Sequence, residues 1–160
     1  MTTTMLITPM PKDEVPAYLR GFADWYAQSL SDAAPHAIDD VHAKVADFLK
    51  PNLGADGLPH DSVIFHLHSE QLAENVGVLW AGGADFGFGP LCYVHDLRIH
   101  PPYRRRGFAR AALECLYDIG KDQGQTRGIA LSVLTSNPAA RTLYAASGFS
   151  PLSEIMIRRF

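Results

Sequence analysis

The strongest concentration of chemically capable groups lies at 103–109, where Arg104, Arg105 and Arg106 precede Gly107, Phe108 and Ala109. An apolar stretch ending at Ile99 lies before it and an alanine-rich stretch begins at Phe108, so the run marks a handover from strand to helix. The first N–H groups of a helix have no internal partners and carry the positive end of its dipole. Gly107 lets the backbone approach closely, Ala109 leaves the approach clear, and the guanidinium groups add formal charge. Such a corner suits a pyrophosphate. The bland interpretation is a solvated basic turn, and a contact with RNA is a third. Position favours the anion site, because 14 Lys and Arg face 17 Asp and Glu in the whole chain and a local excess of cations runs against that balance.

Other groups stand nearby in sequence. His95 and Asp96 can each accept a proton, and His95 has the ordinary pKa closer to neutrality. Strict alternation along 91–99 sends His95, Leu97 and Ile99 to one side and Val94, Asp96 and Arg98 to the other, unless a bulge resets the parity. His66 and His68 share one side of a strand at a spacing that suits a metal, but no further ligands accompany them, so no metal is expected. The two cysteines, Cys92 and Cys115, fall in a strand and a helix and read as reduced thiols. No signal-peptide pattern and no apolar run near the roughly 18 residues of a membrane span occur. A soluble, cytoplasmic protein with no membrane or nucleic-acid partner is the expectation.

These groups need elements to hold them. A chain of 160 residues, 47% hydrophobic, can bury the core of one domain spanning 1–160. Residues 4–10 read as a first strand. Val15, Tyr18, Leu19, Phe22, Tyr26 and Leu30 mark one face of a helix capped by Asp13, and Ile38, Val41, Val45, Phe48 and Leu49 mark a second. Strands follow at 62–69 and 76–81, then a glycine-rich loop over 82–90 and a strand at 91–99. A helix over 108–120 leads to a strand at 129–134. Asn137, Pro138 and Gly148 have the order of a cap, a first-turn proline and a terminal glycine, which predicts a helix between them. Two short strands, 149–152 and 154–160, close the chain.

Two blocks of the sequence resemble the GNAT superfamily of acyl-CoA N-acyltransferases. Arg104, Gly107 and Ala109 match its Gln/Arg-x-x-Gly-x-Gly/Ala turn. Asn137, Ala140, Leu143, Tyr144, Gly148 and Phe149 match its Asn-x-x-Ala-x-x-Leu-Tyr-x-x-x-Gly-Phe block. The resemblance implies a mixed α/β, GNAT-like domain with a splayed, mainly antiparallel sheet of about seven strands flanked by four helices. It also implies acetyl-CoA as cosubstrate, cradled by Arg104, Arg105, Arg106, Gly107, Phe108 and Ala109. Backbone groups of Leu97 and Ile99 would hold the pantetheine arm and polarise the acetyl carbonyl, with Asn137 near the pantetheine amide.

Within that scheme Tyr144 would protonate the departing sulfur. Asp96, acting through water, ranks first as base, with His95 beside it. Trp25, Tyr26, Phe86 and Phe88 are aromatics that could border the acceptor, although aromatics on a helix face more often fill a core. The implied reaction moves acetyl to a primary amine of a small molecule or peptide, and a non-catalytic acyl-CoA sensor is the alternative. Only eleven residues follow Gly148 and Phe149, so the acceptor pocket would be open or completed by a second subunit in a homodimer.

Overall fold

Alternating side chains give a strand two faces, and here each face finds its own helix. The computed structural model describes residues 4–33, 43, 47, 61–87, 89–154 and 156. Five strands form one sheet in the order β1 (Met5–Pro9), β2 (Ser62–Ser69), β3 (Glu74–Asp85), β4 (Pro90–Ile99) and β5 (Ile129–Leu131). All neighbours are antiparallel except β4 and β5, which are parallel. Helix α1 (Val15–Ala33) lies between β1 and β2 in sequence, α2 (Phe108–Gln123) between β4 and β5, and α3 (Pro138–Ala146) after β5.

Val15, Leu19 and Phe22, spaced as one stripe of α1, pack with Ile64, Val78 and Trp80 on one face of the sheet. Phe108, Ala112 and Leu116 of α2 pack with Leu67, Leu79, Ala81, Val94 and Ile99 on the other. Apolar burial on both faces makes the sheet the middle layer of three and clamps β4 between two helices.

The fold class is the mixed α/β arrangement expected from the sequence, with differences at the edges. The described residues contain five strands and three α-helices. The second helix expected at 38–49 lies outside them, apart from helical Ala43 and Asp47. The loop expected over 82–90 is shorter than that, because β3 continues to Asp85 and β4 begins at Pro90. Gly82 stands within the strand where a Cβ would come 2.7 Å from Ser62 Cβ, so this glycine serves close strand approach rather than looseness. The turn itself forms where the Gly87 N–H donates to Asp85 Oδ1 at 2.7 Å. Helix α2 runs past Gly120 to a left-handed cap at Gly124, and β5 stops at Leu131.

No strand forms at 149–152. The Phe149 N–H donates back to the Tyr144 carbonyl at 3.0 Å, and Pro151 has no N–H to offer a ladder. The last expected strand, 154–160, falls outside the described residues except for Glu154 and Met156, neither of which is in a strand.

Gly77 and Gly21 provide a paired test of this packing. A Cβ at Gly77 would overlap the Arg98 carbonyl oxygen and lie 3.0 Å from Ile99 Cδ1, whereas one at Gly21 meets nothing within 4 Å. Gly77→Ala is expected to lower stability by about 1–3 kcal/mol. Gly21→Ala, inside a helix, is expected to raise it by up to about 1 kcal/mol. Urea unfolding of the two variants checks both signs.

Candidate active site

The site begins with a strand that loses a neighbour. Cys92, Tyr93 and Val94 of β4 pair with Ile129, Ala130 and Leu131 of β5, and pairing then stops. On the other edge, pairing with β3 continues to Ile99. His100 donates its N–H to the Val76 carbonyl at 2.9 Å, so Arg98 and His100 face β3 and the intervening Leu97 and Ile99 turn their N–H and C=O groups to the vacated edge. The Ile99 carbonyl accepts from Arg104 Nε at 2.9 Å.

A bulge resets the side-chain parity of β4. Trp80 pairs with Asp96 and Ala81 with Val94, leaving His95 as an extra residue. Val94 consequently shares the α2 face with Leu97 and Ile99, while His95 joins Asp96 and Arg98 on the α1 face. Strict alternation had placed His95 with Leu97 and Ile99. The inserted residue is the physical reason for the difference.

Asp96 is sealed under α1. It is 4% exposed, and its Oδ2 accepts from Tyr18 Oη and Arg98 Nε, both at 2.6 Å. Burial pushes its carboxyl above the usual aspartate range, while Arg98, Tyr18 and the Leu97 N–H work against that rise. Burial, followed by the charge of Asp96, pushes the Tyr18 phenol up. The Arg98 guanidinium lies 5.4 Å from the Tyr18 ring centre and 5.3 Å from that of Trp25. Burial opposes the charge on Arg98, but Asp96 and Tyr18 together outweigh it and raise the guanidinium pKa.

His95 differs in kind. Its residue is exposed, and its ring stacks on Trp80 at 4.7 Å and meets the edge of Tyr93 at 4.9 Å. Those rings remove water from one side and hold its pKa below the ordinary histidine value. The aromatic surface extends both ways. Phe86 approaches Tyr93 at 5.7 Å, and Trp25 and Tyr26 stack about Phe22, which meets Trp80. Burial and then Tyr93 raise the Tyr26 phenol. Phe88 lies outside the described residues. Tyr18, Trp80 and Tyr93 were not singled out for this site from the sequence. The signal for Tyr18 was a phenol on an otherwise apolar helix face, whose hydroxyl needs a partner when buried.

At the far end of β4 a short 3₁₀ turn, Pro101–Tyr103, brings the chain to Arg104. The backbone is left-handed at Arg105 (φ 62°) and at Gly107 (φ 85°), which precedes the first turn of α2 without any side-chain cap. Intrahelical bonding starts with Ala111 donating to Gly107, so the N–H groups of Phe108, Ala109 and Arg110 have no partner within the helix. Phe108 itself is 4% exposed, its ring in the core, and the Arg106 guanidinium lies 5.6 Å from that ring's centre. The corner therefore turns backbone donors and cations toward the same end of β4, a geometry suited to an anion.

Tyr144 sits half-buried on α3 with its ring 5.7 Å from Phe149. Burial, then the charge of Asp96, holds its phenol above the ordinary value, so it is protonated at neutral pH. Asn137 caps α3, accepting the Ala140 N–H at 3.1 Å. His66 and His68 are engaged elsewhere, with Glu14 Oε2 2.9 Å from one and Thr8 Oγ1 3.0 Å from the other. Among the described residues no three His, Cys, Asp or Glu side chains form a metal-binding group. Cys92 and Cys115 are free thiols. No described helix is long and apolar enough to cross a membrane.

Comparison with known proteins agrees with this geometry. The model of the acetyltransferase (GNAT) family matches residues 20–149. The chain is 29% identical to the N-acetyltransferase YycN of Bacillus subtilis (strain 168), itself uncharacterized, over 98% of this chain and 99% of that one. The crystal structure of YycN superimposes with a TM-score of 0.84 at 24% identity, covering 98% and 99% of the two chains. AAC(6')-Iy, in complex with the bisubstrate analogue CoA-S-monomethyl-acetylneamine, shares the fold at a TM-score of 0.58 and 18% identity, covering 99% of each chain.

The Asp96 cluster makes its own demand on stability. Tyr18→Phe removes a donor from a sealed carboxylate and is expected to cost about 1.5–3 kcal/mol. Arg98→Ala leaves that charge without its cation and is expected to cost about 3–5 kcal/mol. Urea midpoints rank the two.

Proposed function

Because the chain belongs to the acetyltransferase (GNAT) family and is an acetyltransferase, we propose that it moves acetyl from acetyl-CoA to a primary amine of a small molecule or peptide, by direct attack of the amine on the thioester. The observation that carries this reading is the vacated edge of β4 beside the uncapped start of α2. One offers backbone groups in line, and the other offers donors and cations at their end. In this reading the N–H groups after Gly107, with Arg104, Arg105 and Arg106, hold the pyrophosphate. Backbone groups of Leu97 and Ile99 hold the pantetheine and the acetyl carbonyl, where a donor stabilises the developing oxyanion. Asn137 fixes the start of α3 and borders the pantetheine. The aminoglycoside acetyltransferase of similar fold is consistent with a small-molecule amine as acceptor, and does not name this one.

An alkylamine, with a pKa near 10.4, must lose a proton before it attacks. His95 is the better acceptor of that proton. Its pKa is lowered and its ring is exposed, so it is neutral and reachable at physiological pH. Asp96, which the sequence placed first, has a side chain only 1% exposed. We assign it instead to holding Arg98 and Tyr18 in position. Tyr144, kept protonated, donates to the coenzyme A sulfur as it departs.

Titration of coenzyme A by calorimetry, with thiol release measured over a panel of amines, tests the reading. Binding without thiol release from any amine would make the protein a sensor instead, and absence of binding would refute both. Tyr144→Phe is expected to lower kcat by about a hundredfold or more while leaving coenzyme A affinity nearly unchanged. The pH profile follows from His95. Protonation as pH falls removes the base, so activity is full above its pKa and declines below it. With that pKa lowered, the acid limb should lie below about 6.5, and His95→Gln should abolish the limb along with most of the rate.

A further inference from the structure

A cavity of about 360 Å³ opens between α1 and the C-terminal end of β4, on the sheet face that carries His95 and the aromatic surface. Val78 gives it an apolar floor, and Tyr18, Arg98, His100 and Arg104 supply its polar wall. Among its described lining residues none is acidic. Asp96 is sealed behind Tyr18 and Arg98, and Glu14 is held at His66. Gly21 forms part of the α1 side, where the absence of a side chain leaves open space.

Arg98 is pre-arranged for a planar anion. Asp96 takes its Nε, and the guanidinium is held against Tyr18 and Trp25. The ordering cost of a long, flexible side chain is thus met during folding. Beyond the bonds to Asp96 and Tyr18, the terminal nitrogens keep N–H donors in the forked geometry that matches a carboxylate. Asp96 balances Arg98, and no lining acid balances Arg104 until a pyrophosphate takes that cation, so in the free protein the wall keeps a positive excess. His100, held below its ordinary pKa by burial and by Arg98, His66 and Arg104, contributes a neutral ring. A polycationic amine would enter against charge.

We propose that this cavity seats a carboxylate of the acceptor, so that the substrate is an amine that also bears a carboxylate. The inference rests on the transferase reading above and names the substrate class for that same site. Arg98 lies three residues from His95 on one face of β4, or roughly 10 Å of strand at about 3.3 Å per residue. The two functional groups of the acceptor are accordingly several bonds apart.

The test uses ω-amino carboxylates of increasing chain length, each with its carboxamide and the matching diamine. Turnover is read as thiol release, and binding to the protein without coenzyme A is read by calorimetry. The carboxylates should exceed carboxamides and diamines by about ten- to a hundredfold in kcat/KM, the span of a charge-assisted hydrogen bond. Arg98→Lys should keep part of that preference. The double variant Asp96→Asn with Arg98→Gln, which removes the buried pair together and so protects the fold, should erase it. Gly21→Met, a benign exchange in a helix, should also cut carboxylate binding by filling the space.

Equal turnover of all three amine classes, or a preference that survives the double variant, overturns the proposal. So does a loss of coenzyme A affinity that parallels the loss of carboxylate preference, since the cavity would then serve the cofactor. Carboxylate binding that depends on Arg98, in a protein that releases no thiol, would uphold the cavity assignment and refute the transferase reading alone.

Discussion

A strand that loses its neighbour part-way must find other partners for its backbone, and β4 beyond Val94 is under that constraint. Each buried N–H or C=O left unmatched costs about 1–3 kcal/mol. The Ile99 carbonyl is met by Arg104, which bends the first arginine of the turn back onto the strand. His100 and Pro101 carbonyls accept the Tyr103 and Arg104 N–H groups, tightening the chain before it reaches Gly107. In the proposed reading, the same need that leaves the Ile99 N–H and the Leu97 carbonyl open to a ligand also aims the cationic corner at the end of the open edge. The cationic corner and the open strand are two outcomes of one interrupted ladder.

The bulge at His95 has an equally local origin and a wider reach. One extra residue turns His95 toward Trp80 and Tyr93, on the side where Asp96 meets Tyr18. Helix α1 can cover this face only if Asp96 is satisfied beneath it, since an isolated buried carboxylate is far too costly. Tyr18 and Arg98 meet that requirement, and Arg98 in turn is fixed against Trp25. Stability and site geometry are thus coupled through one carboxylate. In the proposed reading, a change at Asp96 would alter activity without Asp96 touching the reacting atoms.

The parts legible in the sequence were those written in local signals. Strand-to-helix punctuation around Gly107 and the order Asn137, Pro138, Gly148 located α2 and α3, because caps and first-turn prolines act within a few residues. Helical spacing located α1. Glycine misled at 82–90, since the same residue marks a turn and a place where two strands come too close for a Cβ, and only the neighbour Ser62 distinguishes them. The β4 bulge was likewise invisible in detail, because it is defined by pairing with β3 and leaves no mark on the spacing of β4 itself. The burial of Asp96 was not legible either. A helix 78 residues upstream supplies the hydroxyl that seals the carboxylate, and sequence separation on that scale carries no periodic signal.

Proton bookkeeping bears on the last step of the proposed reaction. An ordinary phenol titrates near 10 and an ordinary thiol near 8.5, so full transfer from Tyr144 to a thiolate is uphill by about 2 kcal/mol before any shift. Burial and Asp96 raise the phenol further and steepen that climb. The advantage of Tyr144 then lies in a hydrogen bond that strengthens as charge grows on the sulfur, more than in delivery of the proton. An ordinary phenol is already protonated at neutral pH and burial keeps this one so, with a smaller addition from the charge of Asp96. Its pairing with Arg98 limits how much of that negative charge reaches the leaving thiolate. The buried pair thus permits a carboxylate close to a site where negative charge must form, which an unpaired aspartate would oppose.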